Sequence, residues 1–265
     1  MRMNLSRQSF LGRNSESVLK SATVAIVGLC GGGSHVAQQL GHVGIGSVLL
    51  VDHDTADDTN HNRMVGLTAK DIENKALKTD VLNRLIKSIN PDADVQPFPM
   101  KWQLCTDALK HCTAIIGCVD SYGERDQLER FARRNMIPYI DVGMDVHGSN
   151  GEHHVTGQVI LSLPGHACMR CMGFLTEEVL AKEAQAYGAA GGKPQVVWPN
   201  GVLASTAVGH LISLLTPWHP DLAPSQYLEY DGNRFTVNPS PKLAYIDKVS
   251  CIHFSGEDAL GDISW

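Results

Sequence analysis

The chain has 265 residues, 43% of them hydrophobic, and a formal net charge of -6. That length and apolar content suit one large α/β domain or two closely joined lobes, and the mild acidity leaves no electrostatic footprint for nucleic acid or an anionic membrane surface. No secretory leader pattern opens the chain, no apolar run reaches the ~18 residues of a spanning helix, and an odd number of cysteines, seven, argues against a disulfide scaffold, so a soluble cytoplasmic protein is expected.

Residues 1–22 are polar, carry Arg2, Arg7 and Arg13, and predict an arm or short helix outside the core. Apolar runs predict strands at 23–28 and 47–52, with a helix over 34–43 between them. Residues 53–69, rich in Asp, Asn and His, read as a loop. The spacing of Ile72, Ala76, Leu82, Leu85, Ile86 and Ile89 predicts one helix over 69–89, ended by Asn90-Pro91. Short strands follow near 95–98, 114–119 and 138–142, with a polar helix over 124–135 before the last. This βαβαβαβ order predicts a doubly wound, mainly parallel, Rossmann-like sheet.

The second half reads differently. Residues 145–154 look like a Gly/His/Asn loop, 155–163 like a strand, 176–186 like a helix, and 187–194 like a crossover or lid. A small-residue helix is expected over 200–215, and two strands near 226–230 and 233–237 joined by Asp231-Gly232. The sheet should therefore continue into a smaller antiparallel C-terminal part. The expected organisation is one unit over 1–265, with an arm (1–22), a first half (23–145) and a second half (146–265).

The chemistry concentrates at strand ends, where open parallel sheets bind ligands. Val24-Ala-Ile-Val-Gly28-Leu-Cys-Gly31-Gly32-Gly33-Ser34 is an apolar strand, a glycine-rich turn and a helix start. Backbone N–H groups at such a helix N-terminus face phosphates. Asp52 ends the next strand 24 residues after Gly28, near the spacing of about 20 that places a carboxylate on ribose hydroxyls. Asp54, Asn60, Arg63, Lys78, Asp120 and Arg125 also follow strand ends or open helices. Cationic side chains, above all Arg63 and Lys78, with an amide and several carboxylates suit a triphosphate with magnesium better than NAD, because the cations stabilise charge during displacement at phosphorus, and Asp120 offers magnesium an oxygen ligand. An NAD-dependent oxidoreductase is what the glycine motif alone would allow. Cys105, Cys112 and Cys118 read as small core residues.

Taken in order, these motifs resemble the ThiF/MoeB/HesA family of adenylyltransferases, the core shared with ubiquitin-activating enzymes. Ser6-Arg7-Gln8, Asp52-His-Asp54-Thr, Thr59-Asn60-His-Asn-Arg63, Lys78 ahead of Ile89-Asn90-Pro91, Cys118-Val-Asp120-Ser…Arg125, Gly157-Gln158-Val159 and Cys168-Met-Arg-Cys171 carry the likeness, over roughly residues 5–255. The resemblance implies adenylation of the C-terminal glycine carboxylate of a small β-grasp, ubiquitin-like or sulfur-carrier protein, with ATP and magnesium. It implies that residues 23–145 bind nucleotide and 146–265 hold the carrier-binding and crossover half. Gly28, Gly31 and Gly33 would shape the phosphate loop, Asp52 would bind the ribose, Asp54 would belong to the nucleotide-binding set, and Asn60, Arg63 and Lys78 would hold the phosphates and stabilise the attack. Asp120 would bind magnesium. Arg7 would reach into a partner's site in a homodimer. The acceptor would be an E2-like protein or a sulfurtransferase.

The chain departs from the family pattern in four places. Cys30 replaces a glycine, and Met64 replaces a glutamine. Residues 193–204, where thioester-forming members carry a cysteine, contain none, so the acyl-adenylate is the expected end point on this chain; Ser205 and Thr206 read as helix-packing residues. The second zinc CxxC is reduced to Cys251-Ile-His253, leaving Cys168, Cys171, Cys251 and His253 as a candidate Cys3His zinc set, with His166 as a substitute. His147, His153 and His154 read as a solvated loop cluster. Competing readings are adenylation of a small peptide, adenylation of a tRNA base (disfavoured by the missing basic patch) and a catalytically silent nucleotide-binding scaffold.

Overall fold

The computed structural model describes residues 3–149, 151–185, 194–219, 225–246, 251–254 and 260. Its centre is an eight-stranded sheet of order β3-β2-β1-β4-β5-β6-β7-β8. Strands β1 (Thr23–Val27), β2 (Ser47–Val51), β3 (Asp94–Phe98), β4 (Ala114–Gly117) and β5 (Tyr139–Ser149) run parallel. Strands β6 (Glu152–Ser162), β7 (Tyr227–Asp231) and β8 (Thr236–Pro239) continue it antiparallel. The expected fold class is therefore present.

The central strands are apolar on both faces because helices cover both. Val24, Ile26, Val48 and Leu50 point into one core, which they share with Val36, Leu40, Leu82 and Leu211. Ala25, Val27, Leu49 and Val51 point into the other, with Leu128, Phe131 and Tyr139. The helices are α1 (Ser15–Ser21), α2 (Gly31–Val43), α3 (Ala69–Glu73), α4 (Lys78–Ile89), α5 (Thr106–Leu109), α6 (Tyr122–Arg134), α7 (Glu177–Gln185) and α8 (Val197–Leu215). Among the described residues, no helix is long and apolar enough to cross a membrane. The segment 187–193, expected as a crossover, lies outside the described residues.

Four expectations are corrected. The N-terminal segment is not a loose arm: a 3-10 turn (Ser6–Leu11) and α1 bury Leu11 and Leu19 in the core. Helix α2 starts at Gly31 rather than Ser34, so the glycine loop is itself the first helical turn. The single helix expected over 69–89 is two. A Thr68–Asp71 capping box starts α3, Lys75 turns the chain at φ 49, and an isolated bridge pairs Thr55 with Leu77 before α4 begins at Lys78. The apolar phase runs on through that break, which hid it. Finally, residues 145–154 are not a loop. β5 and β6 form one long hairpin, from Tyr139↔Ser162 to Ser149↔Glu152, and Val142, Met144, Val155 and Val159 lie on its core-facing side. Its glycines and histidines masked a period-2 pattern, and β5 runs unbroken across the expected boundary at 145/146.

Candidate functional site

The site lies at the carboxyl ends of β1, β2 and β4. Three glycines there are demanded by space. A Cβ on Gly28, whose φ is 87°, would lie 2.5 Å from the Cys118 carbonyl oxygen, and one on Gly33 would lie 1.9 Å from the Gly28 carbonyl oxygen. On Gly31 it would lie 2.5 Å from Asn200 Nδ2. Cys30, by contrast, has φ -82, so the backbone tolerates its side chain.

Asp52 fastens this loop. Its Oδ2 accepts from Leu29 N at 2.8 Å and its Oδ1 from Asp54 N at 2.9 Å. Asp54 Oδ2 in turn accepts from Lys78 Nζ at 2.7 Å. Lys78 is the first residue of α4 and is buried, a placement created by the break after α3. Burial pulls its pKa down, but Asp52 and Asp54 outweigh that and raise it, so Lys78 is a held cation.

Asn60 is buried, and its Oδ1 accepts from Asp57 N at 3.3 Å, so it shapes the turn that presents Arg63. Arg63 donates to the Thr59 carbonyl and, at 3.1 Å, to Asn62 Oδ1. Its Nε is buried without a hydrogen-bond partner among the described residues. Asp120 follows β4 and is exposed. The Cys30 thiol is half-buried: burial raises its pKa, while the Arg63 and Lys78 charges pull it down and Asp120 pushes it up.

Two expected residues fall elsewhere. Arg125 is buried, pairs with the fully buried Asp141 and donates to the Val119 carbonyl at 2.6 Å. It braces the strand ends from beneath; an acid inside the apolar run 138–142 was the signal for its partner. Arg7 is exposed on the turn that Gln8 ties to the Val43 carbonyl at 3.0 Å, at the far end of α2. Thirteen residues of helix put it on the order of 20 Å from the glycine loop, so the structure does not bring Arg7 to its own chain's site.

Sequence reasoning missed Gln195, Asn62 and Asn200. Gln195 Nε2 donates to Asp120 Oδ1 at 3.2 Å, and its carbonyl accepts from Asn62 Nδ2 at 3.2 Å. Asn200 is buried against Gly31 and donates to the Val196 carbonyl at 2.9 Å. None lies in a periodic or glycine-rich motif. Ser205 and Thr206 donate to carbonyls one turn back, each at 2.9 Å, as helix-packing hydroxyls do.

A second cluster joins Cys168, Cys171, Cys251 and His253. Cys171 Sγ lies 3.7 Å from Cys168 Sγ and 3.6 Å from Cys251 Sγ, and His253 Nδ1 lies 3.4, 3.3 and 3.9 Å from the sulfurs of Cys168, Cys171 and Cys251. Bond lengths of about 2.3 Å to sulfur and 2.0 Å to nitrogen require tetrahedral edges of this size, so the donor set fits zinc. His166 is not part of it; its Nδ1 faces the Pro164 carbonyl at 3.2 Å. Buried Glu129 holds the knuckle through Met169 N at 2.7 Å, and burial pushes its carboxyl up to about 7. His147 and His154 face each other across the β5–β6 hairpin, 5.7 Å between ring centroids. Cys105 and Cys112 are core residues whose thiols burial pushes up to about 11 and about 12. Cys118, half-buried under the glycine loop, is also pushed up by burial, to about 12.

A glycine loop opening a helix, a strand-end acid and charged groups facing it across a Rossmann-like sheet define a class. The chain belongs to the ThiF family, whose model matches residues 3–249. It is 29% identical over 178 residues to ubiquitin-like modifier-activating enzyme 5 of Arabidopsis thaliana, covering 58% of this chain and 38% of that one. It is 26% identical over 179 residues to the sulfur carrier protein ThiS adenylyltransferase of Escherichia coli, covering 64% of this chain and 66% of the relative. The solved structure of E. coli MccB with ATP shares the fold, with a TM-score of 0.71 at 22% identity over 89% of this chain and 70% of that one. The chain thus spans less than half the length of the Arabidopsis relative.

Proposed function

We propose that this chain adenylates the C-terminal glycine carboxylate of a small ubiquitin-like or sulfur-carrier protein, using ATP and magnesium. The observation that carries the reading is a glycine loop fastened by Asp52, with Lys78 held on Asp54 beside it and Asp120 tied to Arg63 through Gln195 and Asn62. A carboxylate oxygen of the carrier attacks the α-phosphorus, a new P–O bond forms, and the bond to the bridging oxygen breaks with release of pyrophosphate. The N-terminal amides of α2, the Lys78 ammonium and the Arg63 guanidinium stabilise the charge that builds on the phosphate oxygens. Asp52 fastens the loop and offers its remaining lone pairs to ribose. Magnesium, when bound, neutralises phosphate charge; exposed Asp120 suits it, since this ion takes one or two carboxylates together with phosphate oxygens.

The reaction on this chain ends at the acyl-adenylate, because no cysteine lies between Pro194 and Ala204 and Ser205 and Thr206 are engaged within their helix. Zinc fits Cys168, Cys171, Cys251 and His253 as a closed structural site that ties residues 251–253 to the knuckle. Arg7 completes the site of a second copy in a homodimer, which its distance from its own glycine loop supports. The chain acts as one unit, an E2-like protein or a sulfurtransferase takes the product, and the cytoplasm is where it works. Carrier-dependent ATP–pyrophosphate exchange tests the reading. Exchange lost in Asp120→Ala is the expected result; tight NAD binding with no ATP binding by calorimetry overturns it.

A further inference from the structure

One chain of hydrogen bonds joins Asp120 to Arg63. Asp120 Oδ1 accepts from Gln195 Nε2 at 3.2 Å, the Gln195 carbonyl accepts from Asn62 Nδ2 at 3.2 Å, and Asn62 Oδ1 accepts from Arg63 at 3.1 Å. Gln195 uses its side chain on Asp120 and its backbone carbonyl on Asn62. Asn62 likewise splits its amide, donating to one partner and accepting from the other.

The surroundings fix Gln195 in place. Asn200, five residues on, is buried against Gly31, and its Nδ2 donates to the Val196 carbonyl at 2.9 Å, pinning the peptide that follows Val196. Gly201 lies against the His35 ring of α2, 3.4 Å from where its Cβ would be. The start of α8, two residues after Gln195, is therefore packed on the first turns of α2. The Gln195 amide occupies one lone pair of Asp120 Oδ1 and leaves Oδ2 unused.

We infer that Gln195 and Asn62 are positioning residues: they orient the Asp120 carboxylate for a divalent cation and set its spacing from the Arg63 guanidinium. This rests on the adenylation reading, in which Asp120 takes the metal and Arg63 the phosphates. Partners that hydrogen-bond a ligating carboxylate fix its direction, and their removal lowers metal affinity by about 10–100-fold. A residue that merely filled space here would change melting temperature and leave metal affinity alone.

The probe is Mn2+ with a non-hydrolysable ATP analogue, its free concentration read by electron paramagnetic resonance on the intact chain. Gln195→Met keeps the side-chain length and removes the donor. It should weaken Mn2+ binding in the presence of the analogue by about 10–100-fold, with binding of the metal-free analogue and the melting temperature unchanged. Asn62→Ala should show the same effect in smaller degree, since the Gln195 side chain stays. Gln195→Met added to Asp120→Asn should cost nothing further, because the carboxylate it orients is gone. Wild-type Mn2+ affinity in Gln195→Met overturns the inference while leaving the adenylation reading intact. Unchanged Mn2+ affinity in Asp120→Asn overturns the reading itself.

Discussion

Gly31 and Asn200 offer a test of whether the glycine loop is shaped by the packing described above. Adding a methyl group at Gly31 places its carbon 2.5 Å from Asn200 Nδ2, 2.9 Å from Cγ and 3.1 Å from Oδ1, against an optimal separation of about 3.5–4.0 Å. Asn200 is 4% exposed and must swing away, stretching its bonds to the Val196 carbonyl at 2.9 Å and Met144 Sδ at 3.3 Å. Overpacking of this kind costs about 1–3 kcal/mol, offset by about 0.5–1 kcal/mol from replacing a helical glycine with alanine. Gly31→Ala should therefore lose about 1–2 kcal/mol, and Asn200→Ala about 1 kcal/mol for its hydrogen bond. In the double variant the obstacle is gone and the helical gain stays, so it should be no less stable than Asn200→Ala alone. The interaction energy is then about 1–3 kcal/mol, or several degrees of melting temperature at about 2–4 °C per kcal/mol for a chain of this size. Thermal and urea melts of the four proteins measure it. Additivity within about 0.5 kcal/mol would refute the packing argument. Gly33→Ala is the control: its obstacle is the Gly28 carbonyl at 1.9 Å, which Asn200→Ala cannot relieve.

Removing a preorganised charge typically costs about 10²–10³-fold, so Arg63→Ala and Lys78→Ala should each lower carrier-dependent pyrophosphate exchange by at least ~10²-fold; wild-type rates would mean the charges act elsewhere. Purified protein should carry one zinc per chain by elemental analysis, and Cys251→Ser or a strong chelator should remove it and lower the melting temperature; a metal-free protein of unchanged stability would count against the site. Arg7→Ala mixed with Asp120→Ala should regain part of the activity that each lacks alone, and a fully active monomer by light scattering would rule out the shared site. Burial raises Glu129 from 4.5 to about 7, so between those values the folded state holds a proton that the unfolded state has lost: stability should fall by about 3 kcal/mol as pH rises through this window, and Glu129→Gln should flatten that slope in urea titrations at pH 4.5 and 8.

The sequence spelled out what is local and left out what depends on distant segments meeting. Strand ends, the glycine loop and the Asp52 spacing are neighbours along the chain, and each has a compositional mark. Cys168, Cys171, Cys251 and His253 could be grouped through the family resemblance and the zinc chemistry of their side chains, and the fold does bring them together. The break that makes Lys78 the first residue of α4 was hidden, because Lys75 takes a positive φ that composition assigns to glycine, and because the apolar rows of α3 and α4 happen to stay in phase. The β5–β6 hairpin was hidden for the opposite reason. Gly148 and Gly151, at φ 132 and 85, look like loop residues, and nothing in a lone strand reveals the partner that satisfies it. Gln195 carries no mark at all. Glutamine is common on surfaces, and its place beside Asp120 follows only from the packing of α8 against α2, which sets Asn200 under Gly31. That same contact explains why the loop needs glycine at Gly31, while the φ of -82 at Cys30 lets cysteine stand beside it. A residue 169 positions away in sequence thus decides that Gly31 can bear no side chain.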